Sequence, residues 1–218
     1  MTQTSPLAAL RLAVWEANSG LPKAGLVKWA QGNASGRDPQ TGLVGIKPSG
    51  ARLDRLQPED IVVVDLQGRV VEGRLKPSID TASHLHVYRH RSDVHGIVHT
   101  HSPYATSFAL RGEPLPVCST TAAALSGGAI PVSDFATIGE EAIGEQIVRR
   151  IGSSHAILMR SHGVFTIGGT PMEAFKYAIY VEEEAEILHL ARLRGAVAPL
   201  DPATVAEARR MYLEDYGQ

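Results

Sequence analysis

Two histidines that stand two residues apart, His99 and His101, are the strongest chemical signal in the sequence. They end a short apolar segment that is typical of a buried strand, and side chains two apart on an extended backbone point to the same side. The two imidazole rings are therefore predicted to converge at a strand end. Converging imidazoles are ligands that Zn²⁺ and other borderline divalent ions favour.

Two further residues can complete a metal site. His162 falls at a tight turn between two apolar segments, and Asp80 falls where a helix should begin. Three histidines and one carboxylate form a four-ligand set, and an ion held in this way can act as a Lewis acid on a bound substrate. Each residue alone has a simpler interpretation: a chance His-x-His pair, a turn histidine bonded to the backbone, and a helix N-cap aspartate.

The other six histidines are expected to be packed or surface residues. His84 is the hardest of them to separate from the site, because it stands one helical turn after Asp80. The remaining five are His86, His90, His95, His155 and His189.

Composition limits the classes to which this chain can belong. It has 218 residues and one cysteine, Cys118, which excludes an intrachain disulfide framework and a cysteine-rich zinc site. Its 21 basic and 23 acidic residues give a net charge of −2, which argues against general nucleic-acid binding. No apolar run approaches the ~18 residues of a membrane span, and no signal peptide is evident. We therefore expect a soluble cytoplasmic protein in which residues 1–218 form a single domain.

Helical and extended patterns are interleaved along the chain. Helices are predicted from Ser5 to Gly20, over residues 80–91, 139–151 and 171–194, and from residues 102 and 201 onward. Strands are predicted over residues 61–65, 70–71, 96–99, 156–159 and 164–167, whereas the segments around Asn33 and over residues 47–50 are dense in turn residues.

The links between several predicted strands are short enough for hairpins. We therefore expect an α/β or α+β fold with a mixed, largely antiparallel central sheet flanked by helices. A doubly wound dinucleotide-binding fold is disfavoured, because the sequence lacks both a Gly-x-Gly-x-x-Gly turn before a helix and a phosphate loop ending in Gly-Lys-Ser/Thr.

Five short motifs, taken together, resemble the class II aldolase and adducin family. They occur in the family's order and cover nearly the whole chain. The resemblance implies the family's fold and a zinc-dependent enzyme acting on sugar phosphates, and the members that look most similar are the L-ribulose-5-phosphate 4-epimerases. The motifs are Gln31-Gly-Asn-Ala-Ser35, Ile46-Lys-Pro-Ser-Gly50, Lys76-Pro-Ser-Ile-Asp80, Gly96-Ile-Val-His-Thr-His-Ser102 and Ser161-His-Gly163.

This resemblance implies a role for each matching residue. The three histidines would be ligands of Zn²⁺, or of Mn²⁺, Co²⁺ or Ni²⁺, and Asp80 would either ligate the metal or act as the base at the substrate carbon. A few hydroxyls, exposed amides and one ammonium can hold a phosphate dianion. The implied phosphate pocket consists of Asn33, Lys47, Ser49, Gly50 and Ser78. A plain turn is the alternative interpretation of residues 47–50.

The resemblance also implies a homotetramer with active sites at the subunit interfaces. Tyr216 matches a catalytic tyrosine of the epimerases and would reach the site from a neighbouring subunit. A frayed terminal aromatic residue is the alternative interpretation of Tyr216.

Three positions depart from the epimerase pattern. Ile79 replaces a second phosphate-binding serine, Ala124 replaces a catalytic aspartate, and Met211 stands where the epimerases have a late histidine. Epimerisation needs acid–base groups on both faces of the aldehyde, and a methyl group moves no proton. Loss of one such group costs ~10²–10⁴ in rate.

We therefore expect a metal-dependent class II aldolase that makes or breaks a carbon–carbon bond of a ketose or ketose phosphate through a metal-stabilised enediolate. The first alternative is L-ribulose-5-phosphate 4-epimerase, which uses the same retro-aldol step. Two further alternatives are a decarboxylase of 3-oxo-sugar-acid phosphates and a non-catalytic adducin-like module.

Overall fold

Seven strands and seven α-helices make up the part of the chain that the computed structural model describes, residues 6–215. The helices are α1 Pro6–Lys23, α2 Thr81–His90, α3 Pro103–Arg111, α4 Thr120–Ser126, α5 Ala142–Arg150, α6 Pro171–Arg192 and α7 Pro202–Asp215. The strands are β1 Asn33–Arg37, β2 Val44–Ile46, β3 Val62–Val64, β4 Val70–Glu72, β5 Gly96–Thr100, β6 Ala156–Met159 and β7 Gly163–Gly168. One turn of 3₁₀ helix spans Pro58–Asp60.

All seven strands join one sheet in the order β4-β3-β2-β1-β5-β7-β6. Every pairing between these strands is antiparallel, and an isolated bridge between Val132 and Leu158 is parallel. The predicted fold class, a largely antiparallel sheet flanked by helices, is confirmed.

Both faces of the sheet are covered, because alternate side chains of each strand point to opposite sides. Ile97 of β5 packs with α2 and α5 in one apolar cluster, whereas Val98 packs with α1 and α6 in another. His99 follows two residues after Ile97, so its ring lies on the α2 side of the sheet.

Glu182 of α6 fixes the start of α3. Its carboxylate accepts hydrogen bonds from the backbone N–H groups of Tyr104 and Ala105 at 2.9 and 2.8 Å. A carboxylate at a helix N-terminus satisfies donors that have no partner within the helix. This contact holds the backbone that directly follows His101.

The prediction of turns around Asn33 was incomplete, because β1 and β2 lie there. The strand β1 reads Asn-Ala-Ser-Gly-Arg and lacks the apolar alternation that marks a strand. It is nevertheless central in the sheet, and its polar side chains form hydrogen bonds to α2 across the interior. The short helix α4 was likewise not predicted.

No helix in residues 6–215 combines the length and the apolar character that crossing a membrane requires.

Candidate metal centre and anion pocket

The structure brings His99, His101 and His162 together where β5 ends and β7 begins, in the interior of the sheet order. The ring centroid of His99 lies 4.7 Å from those of both His101 and His162, and the last two are 5.1 Å apart. One ligand atom from each ring can be chosen so that all three lie within 4.8 Å of one another. This is the convergence that the spacing of the first two histidines predicts.

Strand pairing and one glycine make this approach possible. In the β5–β7 pair, His99 stands opposite Phe165 and Thr100 opposite Val164, so the turn before β7 delivers His162 to the end of β5. A Cβ atom on Gly163 would lie 2.4 Å from the carbonyl oxygen of Thr100 and 2.7 Å from a ring carbon of His101. Only glycine therefore fits between the two ligand segments.

The nitrogen atoms of the cluster suit a divalent cation. The Nδ1 atom of His99 lies 3.0 Å from the carbonyl oxygen of Val164. Since a carbonyl only accepts, Nδ1 carries the proton and Nε2 keeps its lone pair. The Nε2 of His101 and the Nδ1 of His162 are buried and have no hydrogen-bond partner within the described structure. Three lone pairs can therefore face one ion.

All three histidines favour the neutral form that binds metal. Burial is the main cause that lowers the pKa of His99 well below its usual value, and the neighbouring imidazoles act in the same direction. Burial also lowers the pKa of His101 and of His162, and the carboxylate of Asp80 opposes this shift in both. Neutral rings at neutral pH need not lose a proton before they bind an ion.

Asp80 is buried at the start of α2, but it is not one of the mutually close ligand atoms. Its Oδ2 accepts a hydrogen bond of 2.7 Å from Nδ2 of Asn33. It occupies the N-cap position of α2, but its side chain makes no capping bond to the helix. The side chain is instead held beside the histidines, where it acts on the pKa of His101 and His162.

The predicted phosphate-binding residues come from two segments that run antiparallel to each other. The N–H of Ser49 donates to the carbonyl of Lys76 at 2.8 Å, and the N–H of Ser78 donates to that of Lys47 at 3.0 Å. The Nδ2 of Asn33 lies 3.3 Å from Oγ of Ser78. This pairing brings Asn33, Lys47 and Ser78 together.

The outer part of this pocket opens to solvent. Ser49 and Gly50 are exposed, and Gly50 adopts a φ of +68°, in the region where glycine is favoured. A cleft of about 440 Å³ beside them is lined by Ser49, Lys76, Ser78 and Ile79, among others. Residues 47–50 thus form a turn that also borders a cleft.

Lys47 is a buried cation. Its Nζ donates to the carbonyl oxygen of Ala30 at 2.8 Å. Burial lowers the pKa of Lys47 to about 8, and the negative charge of Asp80 opposes the shift. The ammonium is therefore mostly protonated at neutral pH, and the bond to Ala30 uses one of its three N–H donors.

The three positions that depart from the epimerase pattern fall in two places. Ile79 is exposed on the wall of the cleft beside Ser78. Ala124 of α4 and Met211 of α7 line one cleft of about 500 Å³. Tyr216 lies outside the described residues, so its role stays a prediction.

The structure also adds neighbours of the site to which the sequence patterns assign no role. A cleft of about 260 Å³ next to His101 is lined by Lys28, Gln31 and Thr106, among others. Gln31 belongs to a quoted motif, but Thr106 sits in α3 with no signal beyond its spacing from His101. These residues meet only because the segment of residues 25–31 lies against α3 in the fold.

Most of the chain matches the sequence model of one protein family. Residues 13–189 match the model described as "Class II Aldolase and Adducin N-terminal domain". The chain belongs to the class II aldolase and adducin family. This result confirms the predicted resemblance.

Individual class II aldolase relatives match over most of their length. The chain is 38% identical over 204 residues to L-ribulose-5-phosphate 4-epimerase UlaF of Salmonella paratyphi B (strain ATCC BAA-1250 / SPB7), which covers 88% of this chain and 90% of the relative. A structure of L-fuculose 1-phosphate aldolase matches with a TM-score of 0.89 at 29% identity, over 94% of this chain and 96% of the other.

A third similarity is to the L-fuculose-1-phosphate aldolase from Thermus thermophilus, with a TM-score of 0.76 and 29% identity over 88% of this chain and all of the other. The chain is thus similar to enzymes of both kinds, an aldolase and a 4-epimerase. Both the main predicted activity and its first alternative fit these similarities.

Proposed function

We propose that this protein is a metal-dependent aldolase that cleaves or forms a carbon–carbon bond of a ketose phosphate. The observation that carries the proposal is the cluster of three neutral imidazoles with unpaired nitrogen atoms, placed beside a buried carboxylate. Family membership makes this chemistry the first to test.

His99, His101 and His162 would hold the ion, which we propose to be Zn²⁺, with Mn²⁺, Co²⁺ or Ni²⁺ as substitutes that the same donors accept. A divalent ion there supplies Lewis acidity, which polarises a substrate carbonyl and stabilises the negative charge that develops on its oxygen. Asp80 either adds a fourth ligand or carries a proton to and from the substrate carbon. Its bond to Asn33 fixes the carboxylate for either role.

Asn33, Lys47, Ser49, Gly50 and Ser78 would bind the phosphate group. The amide, the hydroxyls and the N–H of Gly50 supply hydrogen bonds, and Lys47 supplies the positive charge. Because these residues and Asp80 share the Asn33 side chain, a phosphate bound here fixes the substrate carbon skeleton relative to the carboxylate. Ile79 offers no hydroxyl at the edge of this pocket.

We favour cleavage over epimerisation because of the cleft that Ala124 and Met211 line. Neither side chain transfers protons, and the resemblance places a catalytic aspartate of the epimerases at Ala124 and a late histidine at Met211. An aldolase that releases the aldehyde does not need acid–base groups on both of its faces. The identity to UlaF supports the 4-epimerase as the second candidate.

The proposal includes a cytoplasmic homotetramer in which Tyr216 reaches a neighbouring site. Exposed apolar side chains on α6 and α7, among them Ile187, Leu190 and Leu213, are compatible with burial between subunits. The molar mass in solution, measured by light scattering, tests the assembly.

The activity is tested by incubating the metal-loaded protein separately with L-fuculose 1-phosphate and with L-ribulose 5-phosphate. We expect L-fuculose 1-phosphate to release a triose phosphate and an aldehyde, and D-xylulose 5-phosphate to form from L-ribulose 5-phosphate at least ten times more slowly. Epimerisation that outpaces cleavage contradicts the aldolase proposal and favours the alternative. Carbon dioxide release from a 3-oxo-sugar-acid phosphate identifies a decarboxylase, and a metal-free, inactive native protein identifies an adducin-like module.

Lys47 makes substrate binding depend on pH. The KM for a phosphorylated ketose is expected to rise as the pH passes upward through about 8, because Lys47 loses its charge there. In Lys47→Met, KM at neutral pH is expected to be about 10–100-fold higher, as for a lost charge-assisted hydrogen bond of about 1.5–3 kcal/mol.

The measurement is KM at a series of pH values below and above the pKa of Lys47, in the native protein and in Lys47→Met. The step near pH 8 should vanish in the variant, and a non-phosphorylated ketose should show no step in either protein. A KM that stays constant through this pH range in the native protein removes Lys47 from the phosphate pocket.

A further inference from the structure

A row of polar contacts joins β1 to α2 across the interior. Three side chains that stand two residues apart on the strand meet three residues that stand one helical turn apart on the helix. The strand residues are Asn33, Ser35 and Arg37, and the helix residues are Asp80, His84 and Tyr88. We call these three contacts the polar ladder.

The middle contact of the polar ladder is completely buried. The Oγ of Ser35 lies 2.7 Å from Nδ1 of His84 and 2.8 Å from the hydroxyl of Tyr88. All three side chains are at most 1% exposed. A buried hydrogen bond of this kind is directional, and a buried partner left unpaired is costly.

The two outer contacts fix the ends of the same row. Asn33 donates to Asp80 at 2.7 Å, and the guanidinium of Arg37 donates to the carbonyl oxygen of Tyr88 at 2.6 Å. The same guanidinium also binds three carbonyl oxygens of the segment that follows α2. The strand therefore makes hydrogen bonds to α2 from its N-terminal end to its last turn.

The polar ladder connects directly to the histidine cluster. Asn33 of β1 stands opposite His99 of β5, so the two side chains share one face of the sheet. His84 contacts the edge of Phe165 at 5.7 Å between centroids, and Phe165 stacks on His99 at 4.2 Å. The position of α2 against β1 thus determines where Asp80 stands relative to His99.

The other directional side-chain contacts of α2 with distant residues go to Glu140, Glu141 and Leu66 rather than to β1. Leu85 and Val87 pack in the apolar cluster with α5, and apolar contact is not directional. The side chain of Asp80 makes no bond within its own helix. The directional side-chain contacts that fix Asp80 and α2 against β1 are those of the polar ladder.

We propose that Ser35, His84 and Tyr88 are positioning residues that hold Asp80 in register with the histidine cluster. Their effect on turnover rests on the proposed function, whereas their effect on metal binding does not. Loss of the Ser35 hydroxyl releases the middle of the ladder, so α2 shifts, Asp80 leaves its place beside the ligands, and the His84 ring moves against Phe165, which stacks on His99. The shift of Asp80 lowers kcat, and the disturbed packing of His99 weakens metal binding.

The test compares Ser35→Ala with Ser83→Ala. Ser83 lies on α2 itself, is equally buried and donates to a backbone carbonyl, that of Glu140, at 2.7 Å. Both variants lose one buried hydroxyl, but only Ser35→Ala removes a contact of the polar ladder. Unfolding temperature, Co²⁺ affinity by chelator competition, the Co²⁺ absorption spectrum, kcat and KM are measured for each.

We expect Ser35→Ala to bind Co²⁺ about tenfold more weakly, with an altered spectrum and a kcat reduced about 10–100-fold, as is typical for residues behind metal ligands. KM should change little, Ser83→Ala should stay within about twofold of the native protein, and Ser35→Thr should restore both values. Tyr88→Phe removes only a hydroxyl and is the second variant if Ser35→Ala does not fold.

Equal loss in Ser35→Ala and Ser83→Ala overturns the proposal, because it indicates general loosening of α2. Unchanged Co²⁺ affinity in a folded Ser35→Ala overturns it as well. If the native protein cleaves no ketose phosphate, the proposed function fails, and the Co²⁺ comparison still decides the role of the ladder.

Discussion

The His99→Ala variant is expected to bind no divalent ion and to lose essentially all turnover. His99 is the most buried of the three candidate ligands, and its bond to Val164 fixes which nitrogen faces the ion. Two remaining imidazoles do not make a stable site for Zn²⁺. A Lewis acid contributes several kcal/mol to such a reaction, so the expected loss in kcat/KM is about 10³-fold or more.

Metal content by elemental analysis and kcat/KM for the best ketose phosphate check this prediction. His189→Ala is the matched control, because His189 is exposed on α6 and outside the cluster. The His99 ring also stacks on Phe165, so His101→Ala, at a half-buried position, repeats the test with less disturbance of the core. Full metal content in both cluster variants would mean that the ion binds elsewhere.

The second large effect is expected for Asp80→Asn. This change keeps the size of the side chain, but it removes the negative charge and the ability to accept a proton. If Asp80 moves a proton at the substrate carbon, kcat falls by ~10²–10⁴. The metal content should remain near that of the native protein, because the three imidazoles do not include Asp80 in their mutual contacts.

Parallel measurement of kcat and metal affinity separates the two roles assigned to Asp80. A low kcat with unchanged metal affinity assigns the proton-transfer role, and a loss of both assigns the ligand role. Asn33→Asp is not a suitable control, since it places a second carboxylate against the first. Asp65→Asn changes the same residue type at the β3–β4 turn, where Asp65 pairs with Arg69, and should leave both values unchanged. A native kcat in Asp80→Asn excludes both roles.

The sequence alone determined the parts of this protein that depend on local spacing. The two-residue period of an extended chain places His99 and His101 on one side, and the apolar runs define the later strands and the long helix α6. Hairpin-length links then favour a largely antiparallel sheet. The five motifs were sufficient to identify the family, because each is a short run of adjacent residues that can be recognised without the fold.

Contacts between residues far apart in the sequence depend on how the whole chain folds. Nothing local indicates that Asn33 binds Asp80, 47 positions later, or that Ser35 binds His84. The strand β1 was hidden because its polar residues are stabilised by those partners rather than by an apolar pattern. No local pattern indicates the cleft between α4 and α7 either, because its lining residues meet only when these two helices pack together. Side-chain spacing is fixed by the local backbone geometry, whereas these contacts depend on how sheet and helices pack, which no short stretch of sequence encodes.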